Sequence, residues 1–291
     1  MMKRIAIMGL GLMGGSLGLA LKARGFDGEI AAYARRAETR DAALKAGIAD
    51  EVFDDPAEAV RGADLIILCT PILTIPELVE QAKAGFKEGA LLTDVGSTKA
   101  ELAHKIGAVL AGSSAVFIGS HPVAGSEQQG IEAARADLYD GALVVVTPED
   151  ETRDQEAVRT VKGFWAGVGA LVTVIPAEEH DRLMARTSHL PHLAASLLAA
   201  TAGRDGAPVL VGRFCGTGFR DTSRVADGSP EIWHDIVSTN AGAIGSELRA
   251  FRSELDQLIG WMERKEFEKV KRFLEVSRDC RRALMASSPA E

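Results

Sequence analysis

The chain has 291 residues, 46% of them hydrophobic and 25% charged, and a formal net charge of −8. That length gives one large domain or two ordinary ones with ample core, in a composition normal for a globular protein. The acidic balance argues against a broad nucleic-acid-binding face, and no apolar run is long enough to cross a membrane. Cys69, Cys215 and Cys280 are scattered without CxxC spacing. They are expected to be reduced thiols of a cytoplasmic protein, with neither a zinc site nor a disulfide framework, and the N-terminal residues lack a signal-peptide cleavage pattern.

The chain opens on KRIAIMGLGLMGGSLGLAL, Lys3 to Leu21. Ile5 to Met8 form an apolar run that predicts a buried parallel strand ending at Gly9. Gly9, Gly11 and Gly14 then spell G-x-G-x-x-G ahead of a stretch whose apolar spacing suits a helix. The first glycine permits a tight turn, the second lets a pyrophosphate approach the backbone, and the third lets helix and strand pack closely. The helix N-terminus adds unpaired N–H groups and a partial positive charge. A dinucleotide held along Gly9, Gly11, Leu12, Met13 and Gly14 is the expectation.

Gly28 to Tyr33 reads as the second strand. An acidic residue usually closes this strand, about 20 residues beyond the fingerprint, and bonds the ribose hydroxyls of NAD. Here Ala34 takes that place, followed by Arg35 and Arg36. A missing carboxylate beside two guanidiniums suits a 2′-phosphate, so NADP is favoured and NAD remains possible; the alternative is that both arginines are only a solvated loop. Thr39 to Ala46 predicts a helix, and Ala63 to Thr70 a strand closed by Pro71, with Thr70 and Pro71 beside the cofactor. Pro76 to Ala84 predicts a helix and Ala90 to Asp94 a strand. This alternation calls for an α/β domain with a doubly wound, mainly parallel sheet. DVGSTK, Asp94 to Lys99, follows a strand and precedes a helical stretch from Ala100 to Leu110. Ligands lie outside the carboxyl ends of such strands, which puts Ser97 near a nicotinamide. The same Ser and Thr types also suit a helix N-cap.

Phe117 and Ile118 end another strand, and His121 before Pro122 falls in what reads as an irregular, glycine-punctuated loop at the ligand edge. Histidine is the side chain best suited to proton transfer near neutral pH. Leu143 to Thr147 and Ala170 to Ile175 predict strands flanking a helix over Val158 to Val168. Beyond Pro176 long helical stretches take over, at Ala177 to Ser188, Leu193 to Ala202, Ile232 to Arg252 and Phe251 to Leu284. The expected organisation is therefore a Rossmann-type domain over 1–175 and an all-α domain over 176–291. His180, His189 and His192 cluster in EEHDRLMARTSHLPH, but their spacing around Pro191 does not form a metal triad, and no metal is expected. GFRDTSR, Gly218 to Arg224, lies shortly before Trp233 and reads as a carboxylate clamp.

GLGLMGGSL, DVGSTK, GSHPVAGSE, TSHLPH and GFRDTSRVADGSPEIW occur in the order found in the prephenate/arogenate dehydrogenase family, which this chain resembles from Lys3 to about Leu284. The resemblance implies a Rossmann-type domain joined to a helical domain that forms a homodimer. It implies oxidative decarboxylation of prephenate or arogenate to 4-hydroxyphenylpyruvate or tyrosine, in tyrosine biosynthesis. His121 falls on the family's catalytic histidine, Ser97 beside nicotinamide and substrate hydroxyl, and His189 and His192 in the active-site wall. Arg224 falls on the residue that holds the side-chain carboxylate, and Ser126, Glu127 and Trp233 fall on pocket positions. His180 matches a family position without an evident role. Ala34-Arg35-Arg36 departs from members that use NAD.

Two other readings compete. The β-hydroxyacid dehydrogenases share the GLGxMG opening but use a lysine on a second-domain helix, and no lysine lies between Ala177 and Glu263. A nucleotide-sensing regulator that lost catalysis is the other, against which stand His121, Ser97 and Arg224. The long apolar helical segments around Leu193 to Ala200 and Ile236 to Phe251 exceed what a lone helical subdomain can cover, which points to a partner copy.

Overall fold

The computed structural model describes residues 2–124, 128, 130–149, 154–204 and 208–286. In chain order the elements of the α/β part are β1 (Arg4–Met8), α1 (Leu12–Ala23), β2 (Glu29–Tyr33), α2 (Ala37–Lys45), β3 (Glu51–Phe53), α3 (Pro56–Val60), β4 (Leu65–Leu68), α4 (Ile75–Ala82), β5 (Leu91–Asp94), α5 (Ala100–Leu110) and β6 (Val116–Phe117). The strands form one sheet in the order β3-β2-β1-β4-β5-β6, and every pairing in it is parallel. Successive side chains of a strand point to opposite faces, and here both faces are apolar. Ile5, Ile7, Leu65 and Ile67 join a core with α1 residues Leu17 and Leu21. Ala6, Met8, Ile66 and Leu68 join a second core with α4 and α5 residues such as Val79 and Ile106. That double burial explains why the strands read as unbroken apolar runs.

The strand order reverses between β1 and β4, which opens the crevice where doubly wound folds take their ligands. Gly9 turns the chain out of β1 with φ +115°, and a Cβ built on Gly14 would stand 1.9 Å from the Gly9 carbonyl oxygen. Two short elements, β3 and α3, have no counterpart among the expected ones. β3 is a three-residue edge strand, EVF, with one exposed charge, too short to show a period. The start signal of α3 is plain in hindsight: Pro56 stands at its first position, and Asp55 Oδ1 accepts from Ala57 N–H at 2.8 Å.

A second sheet follows, of β7 (Gly119–Val123), β8 (Leu143–Thr147) and β9 (Leu171–Val174) in the order β7-β8-β9. β7 runs antiparallel to β8, and α6 (Gln155–Gly167) crosses from β8 to the parallel β9. This corrects the expected loop at His121: the residue lies within β7, paired with Val145. Pro122 and the glycines hid the strand, since proline in a strand is confined to edges, and β7 is an edge.

After β9 the described residues are helical: α7 (Ala177–Met184), a π-helical turn at Ala185–His189, α8 (Leu190–Gly203), α9 (Pro208–Phe214), α10 (Thr217–Ser223), a 3-10 turn at Arg224–Asp227, α11 (Pro230–Thr239), α12 (Ala241–Glu263) and α13 (Phe267–Ala286). The stretch expected to run from Ile232 to Arg252 breaks at Asn240, and α9 and α10 have no counterpart among the expected elements. Backbone packing divides the chain into two compact units, Met1–Ala241 and Gly242–Glu291. In the second, Trp261 packs against Phe273 with ring centroids 6.2 Å apart, while Leu255, Ile259, Met262, Leu274 and Leu284 are exposed. No described helix is long and apolar enough to cross a membrane.

Candidate active site

The turn after β1 leaves the N-terminus of α1 open. Gly11 caps it with no side-chain hydrogen bond, and no acidic residue stands in the first turn. Among the described residues a Cβ on Gly11 would meet nothing within 4 Å, which leaves room beside the helix end, where an anion can meet its unpaired N–H groups. Leu12 and Met13 are half-buried at the start of the helix, and Met13 is fixed by its carbonyl, which accepts from the Tyr139 hydroxyl at 2.8 Å. Gly9 packs on the end of β4, where its Cβ would stand 2.8 Å from Thr70 Cγ2. Thr70 Oγ1 is buried with no partner among the described residues, while Pro71 is exposed. An uncapped helix end with an orphaned hydroxyl beside it suits a dinucleotide.

At the end of β2, Ala34 is buried and Arg35 and Arg36 are exposed. The backbone here is held by a residue the sequence pattern did not single out. Arg40 Nη1 donates to the carbonyls of Ala34 at 3.0 Å and Arg35 at 2.9 Å, and its Nη2 stands 3.2 Å from Asp54 Oδ2.

The centre of the site is a buried polar network below the carboxyl end of β5. His121 Nδ1 lies 2.8 Å from His180 Nε2, and His180 Nδ1 lies 2.8 Å from Asp181 Oδ1. Asp181 also caps α5, accepting from Lys99 N–H at 2.8 Å and Ala100 N–H at 2.9 Å. The buried Lys99 ammonium pairs with Asp94 and donates to the Ser120 carbonyl at 2.9 Å. Burial pushes His121 well below the usual histidine range, and the neighbouring His180, Lys99 and His189 add to it. The imidazole is therefore neutral at physiological pH.

His189 sits on the π-helical turn, a distortion that recurs at functional sites. Asn240 Nδ2 donates to the Asp181 carbonyl at 2.8 Å and faces His189 Nδ1 at 3.3 Å. The carbonyl can only accept, which fixes the amide with Nδ2 toward both neighbours and makes His189 Nδ1 an acceptor. The ring hydrogen then lies on His189 Nε2, a buried atom with no partner among the described residues. Burial pushes His189 down to about 4, against the pull of Asp181 and with the help of His180 and His192. Trp233 stacks on His192 with ring centroids 3.5 Å apart and stands edge-on to His189 at 6.0 Å. A Cβ on Gly228 would come within 2.6 Å of Trp233 Nε1, so only glycine lets the loop close over this wall.

The structure thus brings His121, His189, His192 and Trp233 into one neighbourhood. Ser97 is half-buried in the turn before α5; the adjacent Thr98 shares a 2.7 Å hydrogen bond with Thr239. Arg224 is exposed at the head of the 3-10 turn, next to Val225, whose carbonyl accepts from His192. Ser126 and Glu127 lie outside the described residues. Among the described residues no three His, Cys, Asp or Glu side chains converge as a metal site would need. Asp181 and Asn240 escaped the sequence pattern: an Asp after a His on a charged helix, or an Asn at a helix break, carries no signal until the chain is folded.

The family model for the prephenate dehydrogenase nucleotide-binding domain matches residues 17–174, and that for the prephenate dehydrogenase dimerization domain matches residues 176–276. A prephenate dehydrogenase of Bacillus subtilis is 36% identical over 96% of this chain and 76% of its own length. A cyclohexadienyl dehydrogenase of Zymomonas mobilis is 34% identical over 88% of this chain and 87% of its own. The crystal structure of prephenate dehydrogenase from A. aeolicus, in complex with hydroxyphenyl propionate and NAD+, superposes with a TM-score of 0.87 at 30% identity, over 98% of this chain and 99% of that one.

Proposed function

The chain belongs to the prephenate dehydrogenase family, and on that premise we propose how its residues divide the reaction. It is a nicotinamide-dependent dehydrogenase of tyrosine biosynthesis, acting by oxidative decarboxylation on prephenate or arogenate. A bound nicotinamide supplies the hydride acceptor. Gly9, Gly11, Leu12, Met13, Gly14, Thr70 and Pro71 hold the dinucleotide, and Ser97 stands by its nicotinamide end. His121 takes the proton of the ring hydroxyl, which frees the oxygen's electrons to expel hydride from the same carbon; loss of the ring carboxylate as CO2 makes the ring aromatic. His189 donates its Nε2 hydrogen to a substrate oxygen. His192 and Trp233 form an apolar wall, with Ser126 and Glu127 assigned to the same pocket on the family pattern alone. Arg224 clamps the side-chain carboxylate.

The observation that carries this reading is His121: a buried neutral imidazole, held at Nδ1 by His180, with no hydrogen bond at Nε2 among the described residues. The test is reduction of the nicotinamide, followed at its absorbance band, with prephenate and with arogenate against NAD and NADP. Turnover with at least one substrate, with CO2 released, is expected; none with either would refute it.

Three finer assignments go with it. NADP is the preferred cofactor, supported by Ala34 in place of a carboxylate and by the exposed Arg35 and Arg36. Residues 1–175 serve the cofactor, and 176–291 serve the substrate and form a homodimer, supported by the exposed apolar side chains of α12 and α13. The free thiols Cys69, Cys215 and Cys280 suit a reducing compartment, and the enzyme is assigned to the cytoplasm.

A further inference from the structure

We propose that His180 and Asp181 form a proton relay behind His121, fixing which nitrogen of His121 is the base and receiving the charge that the reaction creates there. The inference rests on His121 being the general base and concerns residues that do not reach the substrate themselves.

The direction of the relay follows from donor and acceptor counting. Asp181 accepts from two backbone N–H groups, Lys99 to Oδ1 and Ala100 to Oδ2. An ionised carboxylate has only acceptors to offer, so His180 Nδ1, 2.8 Å from Oδ1, is the donor. In a neutral His180 the other nitrogen, Nε2, is then an acceptor. His121 Nδ1, 2.8 Å away, must supply the hydrogen. The lone pair of His121 is left on Nε2, on the side of the ring not engaged by His180. A doubly protonated His180 reverses this: its Nε2–H donates to His121 Nδ1, the His121 hydrogen moves to Nε2, and the base is lost. One proton on the pair switches the site off.

The same chain handles the product of proton transfer. When His121 Nε2 accepts a substrate proton, the ring becomes a cation in a buried place. The titratable groups that face it are Lys99 from the turn before α5 and His180 and His189 from the helical segment, none of which welcomes positive charge. Asp181 stands behind His180, and Asp94 behind Lys99. Passing the Nδ1 hydrogen to His180 Nε2 balances the proton gained at Nε2 and returns His121 to neutrality. The charge then rests on His180, in direct contact with the Asp181 carboxylate. The position of Asp181 is over-determined by the α5 backbone and by Asn240 on its carbonyl, which keeps the relay in register.

Two measurements test this. With the chain's six histidines labelled with 15N and assigned by single substitutions, His121 of the free enzyme above the pair's titration should carry hydrogen on Nδ1 and a bare Nε2. The opposite tautomer overturns the proposal without any variant having to fold. In kinetics, His180→Gln should lower kcat at neutral pH by roughly tenfold or more while KM and cofactor affinity change little, as when a base loses the partner that orients it. Its acid limb should also move to lower pH by about one unit or more, because His121 would titrate alone, without Asp181 to favour the charge. A fall in kcat with the acid limb unmoved would mark His180 as structural and overturn the relay. Wild-type behaviour of His180→Gln beside an inactive His121→Asn would overturn the relay and leave the base in place, whereas an active His121→Asn would overturn the functional reading itself.

Discussion

Replacing His189 by glutamine should flatten the acid limb of the protein's stability. His189 is 1% exposed and neutral, with burial as the main cause of its depressed proton affinity. Its unfolded value is about 6.5, and folding pushes it down to about 4. The native state therefore resists a proton that the unfolded chain takes up readily. Such a group contributes fully above pH 6.5 and loses its contribution as pH falls from there to about 4. The gap amounts to about 3 kcal/mol of stability. Spread over a chain of this size, that is roughly 6–12 °C in Tm. The glutamine side chain retains an N–H donor toward the pocket but has nothing to titrate. Urea unfolding of the wild type and His189→Gln at pH 8 and pH 4 reads the difference directly: the wild type should lose about 3 kcal/mol more than the variant. Equal losses would show that His189 is not held neutral by its surroundings and would refute the reasoning.

Three further outcomes are expected. Arg224→Ala should raise the substrate KM by roughly tenfold to a hundredfold, the worth of a charge-assisted hydrogen bond, and leave cofactor affinity nearly unchanged; an unchanged KM would move the clamp to another residue such as Arg220. Gly11→Ala should leave Tm nearly unmoved, because its Cβ meets nothing within 4 Å, yet weaken cofactor binding by roughly tenfold, about 1.4 kcal/mol. Gly14→Ala, whose Cβ would stand 1.9 Å from the Gly9 oxygen, should lower Tm instead, and equal cofactor affinity in wild type and Gly11→Ala would refute the pyrophosphate site. NADP should bind at least about tenfold more tightly than NAD, and Ala34→Asp with Arg35→Ala should reverse the order; equal or better kcat/KM with NAD in the unaltered enzyme would reduce both arginines to surface charges.

The sequence made the parallel sheet legible because its strands are buried on both faces. Ile5 to Met8 and Leu65 to Leu68 have no polar residue to blur the signal. The three-residue β3 and the proline-bearing β7 lacked that signal, and so His121 reads as a loop residue though it is a strand residue. Its chemistry was legible even so, since a His-Pro ahead of glycines is a motif whatever its backbone does. The network behind it was not. Asp181 meets Lys99 and Ala100 across some eighty residues, and Asn240 reaches Asp181 and His189 across more than fifty. No local pattern encodes such pairings, which exist only once β5, α7 and α11 are in place. The same holds for the hydrogen on Nε2 of His189, because that tautomer is set by Asn240 at a helix break.

The most direct test of the account is His121→Asn, whose amide can replace Nδ1 but leaves no nitrogen at the Nε2 position to accept a proton. Single-turnover reduction of the nicotinamide with saturating prephenate or arogenate should be slower by roughly two to four orders of magnitude, the usual contribution of a positioned general base. Binding of the cofactor, followed by fluorescence titration, should be unchanged. Near-normal turnover in the variant would contradict the account, because His121 would then be a structural residue of β7 and some other group would take the proton.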